Sequence, residues 1–404
     1  MYSKASSGNR KGNCGRPEPG PAGGEQSQRP RALYIHVPFC IAKCRYCDFY
    51  SLPFSEDQAG AFIKAAAAEL SVRAECLALP LRSVFVGGGT PTVLGPALLG
   101  ALLSLVGDFV DAQTEFTVEA NPCTVNGRVV RTLAAHGVNR VSLGAQSFDC
   151  GELKLLGRRH VPGQVNQATA MLRDGGITNV GLDLIYGIPG QRPAAWASSL
   201  DRALGLAPSH LSCYALSFEP GTPLHAELLA GRLTEMADSA QRACYDAAIE
   251  AATKAGLGHY EISNFARPAM QCRHNLTYWH NEPYLGIGPA AASYVAGSRR
   301  TNSPDLQQYV MSLLDGRLPP ATAERLAGRA AMAETLMLGL RLTQGIDRNG
   351  FKSRFGRDPL EAFPGSIGRY ANTGALIVSE SAIRLAREYL FVADTILADI
   401  LAEV

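Results

Sequence analysis

The chain lacks a dominant charge, a long apolar run and a regular cysteine ladder, and each absence excludes a class of protein. Its 38 Lys and Arg against 36 Asp and Glu leave a net charge of +2. Nucleic-acid binding through a broad basic face is therefore not expected, because phosphate affinity rests on clustered Lys and Arg. No stretch of about 18 or more apolar residues occurs, and nothing near the start resembles an apolar signal core, so neither a membrane span nor secretion is expected. The ten cysteines are not spaced as in a small disulfide scaffold: Cys14, Cys76, Cys123, Cys150, Cys213, Cys244 and Cys272 stand singly, and Cys40, Cys44 and Cys47 are bunched. In a long chain such a bunch points to a metal or catalytic site in a reducing, cytoplasmic compartment. Internal repeats are absent too.

What the chain does have is a 46% hydrophobic share over 404 residues, enough for a sizeable core and two or three domains. Residues 1–31 are rich in Gly, Pro and Ser and almost without apolar side chains. They are expected to form a disordered arm, since they cannot offset the entropy of ordering. Gly and Pro at that density also oppose the amphipathic helix of a transit peptide.

From Ala32 short apolar runs alternate with helical patterns. Strands are expected at Leu33–Val37, Ser83–Val86, Glu115–Glu119, Arg140–Leu143, Val180–Ile185 and Leu211–Ala215. Helices are expected at 58–79, 98–109, 129–136 and 164–174. Near-continuous apolar strands separated by helices indicate βαβ units with a parallel sheet covered on both faces. That rhythm suits either a partial barrel or a doubly wound sheet. It breaks near 217, and a polar, aromatic segment follows from Tyr260 to Tyr294. The tail from about 305 reads as mostly helical with a short strand near 375–379.

The cluster Cys40-Ile-Ala-Lys-Cys44-Arg-Tyr-Cys47 follows the first strand on a loop opened by Pro38. Zinc sites usually take four ligands, often as two separated C-x-x-C pairs, and no second pair is present. Three thiolates suit a 4Fe–4S cluster with one iron left open. C-x-x-x-C-x-x-C in this place resembles the radical S-adenosylmethionine proteins, whose open iron binds the amino and carboxylate groups of S-adenosylmethionine. Tyr34-Ile-His-Val-Pro-Phe-Cys40, Gly87-Gly-Gly-Thr-Pro91, Glu119-Ala-Asn-Pro122, Gly144-Ala-Gln-Ser-Phe148 and Asp183-Leu-Ile-Tyr-Gly-Ile-Pro189 resemble the HemN/HemW branch.

That resemblance implies a partial (β/α)6 radical SAM barrel over 32–215, an α/β extension over 216–300 and a small, mostly helical, winged-helix-like C-terminal domain over 301–404. It implies that Cys40, Cys44 and Cys47 hold the cluster. Tyr34, Tyr46, Gly88, Gly89, Thr90, Glu119, Gln146, Arg158 and Asp183 match positions that bind S-adenosylmethionine. His274-Asn-Leu-Thr-Tyr-Trp279 resembles the H-N-x-x-Y-W signature of the haem-handling branch, which implies that His274, Asn275, Tyr278 and Trp279 contact haem. Imidazole suits haem iron, and aromatic faces suit a porphyrin. Relatives that oxidise coproporphyrinogen III carry an additional cysteine two residues beyond the cluster, where this chain has Asp48-Phe49. The implied function is a haem chaperone rather than that oxidase, served by a reducing electron-donor protein and a haem-accepting apoprotein, as a monomer or dimer. Two departures stand out. Ala292 occupies a position where relatives carry histidine, and Cys123 replaces a glycine, read as a packing substitution.

Overall fold

The computed structural model describes residues 29–404; the arm expected over 1–31, and with it the transit-peptide question, lies outside them except for the last three positions. Six strands come in order: β1 (Ala32–Val37), β2 (Ser83–Gly88), β3 (Glu115–Ala120), β4 (Arg140–Gln146), β5 (Asn179–Tyr186) and β6 (His210–Ala215). Each is parallel to its neighbour, and their order in the sheet is their order in the chain. A doubly wound sheet reverses its strand order part-way. This one does not reverse, so the partial barrel is the correct reading of the two.

The crossovers carry α1 (Glu56–Arg73), α2 (Gly95–Ser104), α3 (Gly127–Ala135), α4 (Pro162–Asp174) and α5 (Pro193–Gly205). Acidic Glu56 and Asp57 open α1 and Arg73 closes it, as the helix dipole favours. Asn126 caps α3 by accepting from the amides of Arg128 and Val129, which satisfies donors that the first helical turn leaves free. Leu33, Ile35, Val84, Val86, Val118, Val141, Leu143, Val180 and Leu182 are fully enclosed between the sheet neighbours and these helices.

After α6 (Asp238–Lys254) the chain adds antiparallel strands β7 (Gly258–Glu261) and β8 (Asn264–Ala266) beyond β6. Helix α7 (Arg273–Trp279) follows, and β9 (Leu285–Ile287) then returns to the opposite edge, pairing parallel with β1. The extension thus completes the core sheet from both sides. A hairpin sheet comes next, made of β10 (Ala292–Val295), β11 (Ser298–Asn302) and β12 (Ala321–Arg325). Strand β11 runs straight through 300–301, where the sequence suggested a boundary.

The last part packs α8 (Gly328–Gly339), α9 (Arg348–Phe355) and α10 (Ala393–Leu401) with a small antiparallel sheet of β13 (Ile346–Asp347), β14 (Leu376–Val378) and β15 (Ala382–Leu385). Helices with a short β wing fit the winged-helix-like expectation. No helix among the described residues is long and apolar enough to cross a membrane.

One buried carboxylate ties these parts together. Glu69 on α1 accepts from Arg73 Nη1 (3.1 Å), the Gly288 amide (2.9 Å), Asn302 Nδ2 (2.9 Å) and the Tyr309 hydroxyl (2.7 Å). Four donors satisfy a charge that burial would otherwise penalise heavily.

Candidate functional site

The loop after β1 is pinned at its neck, where Phe39–Cys40 pairs with Leu52–Pro53. Its far side is held by the Arg45 amide on the Leu156 carbonyl (3.0 Å) and by an Arg45–Glu227 ion pair. Gly157 makes that approach possible, since a Cβ there would lie 2.8 Å from Arg45 Cγ. Cys40, Cys44 and Cys47 are free, half-buried thiols lining one cavity of about 490 Å³ at the carboxyl ends of the strands, where parallel barrels gather their ligand-binding groups.

The same cavity brings together most of the residues expected from sequence. Tyr46, Gly88, Gly89, Thr90, Glu119, Gln146, Arg158 and Asp183 all line it. Cys40 Sγ lies 3.7 Å from Thr90 Oγ1, and Arg158 Nη1 donates to Cys44 Sγ at 3.4 Å. The Gly88 amide donates to Glu119 Oε2 at 3.1 Å, and Ser142 Oγ donates to both oxygens of Asp183 (3.2 and 3.1 Å). Gln146 holds a left-handed backbone, φ 63°, the kind of strain that collects at ligand sites. Its neighbour Gly144 leaves room for it: a Cβ would meet Gln146 Nε2 at 2.8 Å and Arg158 Nη2 at 3.2 Å.

Burial, with Asp183 nearby, raises Glu119 to about 7. Burial likewise raises Asp183 and the Cys40 thiol, and carries Cys47 to about 11. These thiols are protonated at neutral pH until something coordinates them, and metal ligation releases such protons.

Tyr34 is not among the residues that line the cavity. It sits behind the cavity wall with its hydroxyl on His36 Nδ1 (3.0 Å), packed against Phe85 and His274. Gly88 also differs in detail: a Cβ there would strike the His36 ring at 2.5 Å rather than fill the cavity.

The His274–Trp279 segment is split by its own helix. Glu115, at the start of β3, accepts from the amides of Arg273 and His274 and anchors the first turn of α7. His274 is 1% exposed, its Nδ1 bonded to Ser83 Oγ (2.9 Å) and its Nε2 to the Tyr278 hydroxyl (2.8 Å). A neutral imidazole has one donor and one acceptor, and both are used. Burial lowers its pKa to about 3, so it stays neutral. His274 and Tyr278, expected to contact haem, are thus interior groups bonded to each other. Asn275 reaches the cysteine cavity instead, and Trp279 lines a separate cleft.

Sequence reasoning missed Arg140, Ser142, His210, Ser212 and Tyr214, which line the cavity. Arg140 is 1% exposed, with Nε and Nη1 unpartnered. A charged residue opening a strand of the parallel sheet was the available signal. Cys123 was read as packing, but it stands in the cavity wall with its thiol on Asn121 Oδ1 (3.2 Å).

Comparison with known proteins follows the same lines. The sequence profile of the Radical SAM superfamily matches residues 34–203, and that of the HemN C-terminal domain matches 326–391. The "Heme chaperone HemW" of Bacillus subtilis is 32% identical over 362 residues, covering 89% of this chain and 96% of that protein. That of Lactococcus lactis is 35% identical, covering 81% and 86%. The chain belongs to the HemW family. Its radical SAM core and HemN-type tail are those of this family. A bovine relative named "Radical S-adenosyl methionine domain-containing protein 1, mitochondrial" is 32% identical, covering 94% of this chain and 90% of that one. The solved coproporphyrinogen III oxidase HemN of Escherichia coli, described as a radical SAM enzyme, superposes with a TM-score of 0.80 at 22% identity, covering 93% and 91%. At that identity the likeness establishes the fold alone.

Proposed function

We propose that this protein is a haem chaperone of the HemW type, carrying a 4Fe–4S cluster with S-adenosylmethionine and passing haem to an acceptor protein. The observation that carries the reading is the convergence on one cavity of the three loop thiols with Glu119, Gln146, Arg158 and Asp183, in a chain that matches HemW proteins over most of its length.

The donor set fits a cluster better than zinc. Structural zinc sites usually take four ligands, and the loop offers three thiols to the cavity. Three thiolates would hold three irons of a 4Fe–4S cluster and leave one iron open. When bound, the cluster supplies one-electron chemistry and an open iron for S-adenosylmethionine.

The protein's own groups do the rest. Glu119, one oxygen fixed by the Gly88 amide, accepts the ammonium of the methionyl group. Arg158, whose guanidinium donates to Cys44, would also meet the carboxylate side of the ligand. Tyr46, packed against the apolar cluster that includes Leu156 and Ile185, would cover the adenosine side. Asp48 and Phe49 line the cavity mouth where the oxidase branch has its additional cysteine, which supports the chaperone over the oxidase. The chain works in the cytoplasm with a reducing donor protein, as a monomer or dimer.

Anaerobic reconstitution tests this, followed by haem titration and a coproporphyrinogen assay on one sample. Cluster absorbance lost in Cys40→Ala, Cys44→Ala or Cys47→Ala, haem bound and no porphyrinogen turned over is the expected set. Turnover by the wild type would replace the reading with the oxidase.

A further inference from the structure

The cavity that holds the three thiols continues down the inside of the barrel to residues that open its strands. Arg140 at the start of β4 and His210 at the start of β6 line this inner end. Helix α7 is fixed to the starts of β2 and β3, with His274 bonded to Ser83 and Glu115 accepting from two amides. Its Asn275 joins the lining.

Arg140 is a buried cation without a partner. Its side chain makes no hydrogen bond and no ion pair among the described residues, and Nε and Nη1 are shut off from solvent. The acidic groups around it are engaged elsewhere. Glu115 accepts from the amides of Arg273 and His274, and Asp183 accepts from Ser142. An unpaired guanidinium in such a place carries a heavy desolvation penalty unless an anion meets it.

His210 offers a second donor to the same space. The Tyr260 hydroxyl accepts from the Cys272 amide (3.4 Å) and lies 2.8 Å from His210 Nε2. Its proton therefore goes to Nε2, which leaves the ring proton on Nδ1. Nδ1 is buried and has no acceptor. Burial, with Arg140 nearby, lowers the pKa of the ring, so it stays neutral. The two donors flank the bare backbone of Gly181 on β5: a Cβ there would lie 3.5 Å from His210 Nδ1 and 3.6 Å from Arg140 Nη2.

We propose that this inner end is a carboxylate site, in which Arg140 and His210 bind the acid group of a second organic ligand. That ligand is a small carboxylic acid other than S-adenosylmethionine, whose own charged groups meet Glu119 and Arg158 beside the cysteine loop. A guanidinium matches the two oxygens of a carboxylate, and a neutral imidazole N–H adds a further directional bond. Phe85 and Ile185 supply apolar lining for the rest of such an acid. The site is independent of haem.

Saturation-transfer NMR on the full-length protein, reconstituted and loaded with S-adenosylmethionine, tests this with butyrate as the probe and n-butanol as its uncharged control. Wild type should bind butyrate and not butanol. Arg140→Lys, which keeps the charge and loses the planar fork, should weaken butyrate by about tenfold. Gly181→Ala, whose methyl fits at ordinary contact distance, should weaken it severalfold by narrowing the space between the donors. Arg140→Met should abolish binding; if it fails to fold, the other two variants decide. All three should keep the cluster absorbance. Equal binding of butyrate and butanol, or a butyrate affinity unchanged in Arg140→Lys and Gly181→Ala, overturns the site. Butyrate bound only in the absence of S-adenosylmethionine overturns the second ligand, since that molecule's own carboxylate would then be the occupant. Inorganic phosphate bound as tightly as butyrate overturns the choice of a carboxylate.

Discussion

Arg158 sets its Nη1 3.4 Å from the sulfur of Cys44 and its Nη2 2.6 Å from the carbonyl of Gly144. One guanidinium thus joins the thiol loop to the end of β4. The missing side chain at Gly144 permits the contact.

Arg158→Met should therefore leave the fold intact and reduce the iron retained on reconstitution severalfold. Affinity for S-adenosylmethionine should fall by about tenfold or more, the scale of one lost charge-assisted contact. Iron and sulfide analysis with calorimetry on the same preparation measures both. Gly144→Ala should reproduce the defect more weakly by displacing Arg158 and Gln146.

Glu119 links ligand binding to pH. Its folded value of about 7 lies above that of an unfolded glutamate, near 4.3. The native state therefore holds the additional proton between these values, and stability of the cluster-free protein should fall as pH rises through that window. Glu119→Gln should flatten this part of the profile in thermal denaturation from pH 5 to 8. It should also abolish the gain in S-adenosylmethionine binding that the wild type shows as Glu119 ionises. A wild-type profile as flat as the variant's would disprove the coupling.

Glu69→Ala should be among the most destabilising single changes in the chain. It leaves Arg73, 8% exposed, without its carboxylate and three further donors without an acceptor, which places the loss at about 3–5 kcal/mol. Glu69→Gln, which keeps an acceptor oxygen, should lose less. Denaturant unfolding ranks the two.

Gly88 and Gly89 are needed by the scaffold before any ligand arrives. Gly88 has φ +99° with the His36 ring behind it, and a Cβ on Gly89 would lie 2.4 Å from the Phe39 carbonyl. Gly89→Ala should lower the melting temperature of cluster-free protein, because backbone cannot yield as a flexible side chain can. Equal melting temperatures would mean that the loop shifts at little cost.

The six parallel strands were legible because burial on both faces writes them as continuous apolar runs, and the cavity residues were legible because they follow strand ends. Helix limits were less so: α1 closes at Arg73 and a short 3-10 turn takes over to Cys76, whereas the apolar pattern ran on to Leu79. The direction of the His274 side chain could not be read, since it depends on Ser83, 191 positions away and brought near only by folding. Sheet order was equally hidden; period and spacing are the same in a barrel and in a doubly wound sheet.

The pairing of β9 with β1 sets a condition on synthesis. Leu33 and Leu285 stand opposite one another, so the first strand made keeps one bare edge until some 250 further residues have left the ribosome. At typical elongation rates that interval is on the order of ten seconds or more, during which an apolar strand offers unsatisfied backbone groups to any neighbour. A nascent chain stopped short of Ile287 should thus be captured by holdase chaperones far more readily than one stopped just beyond it.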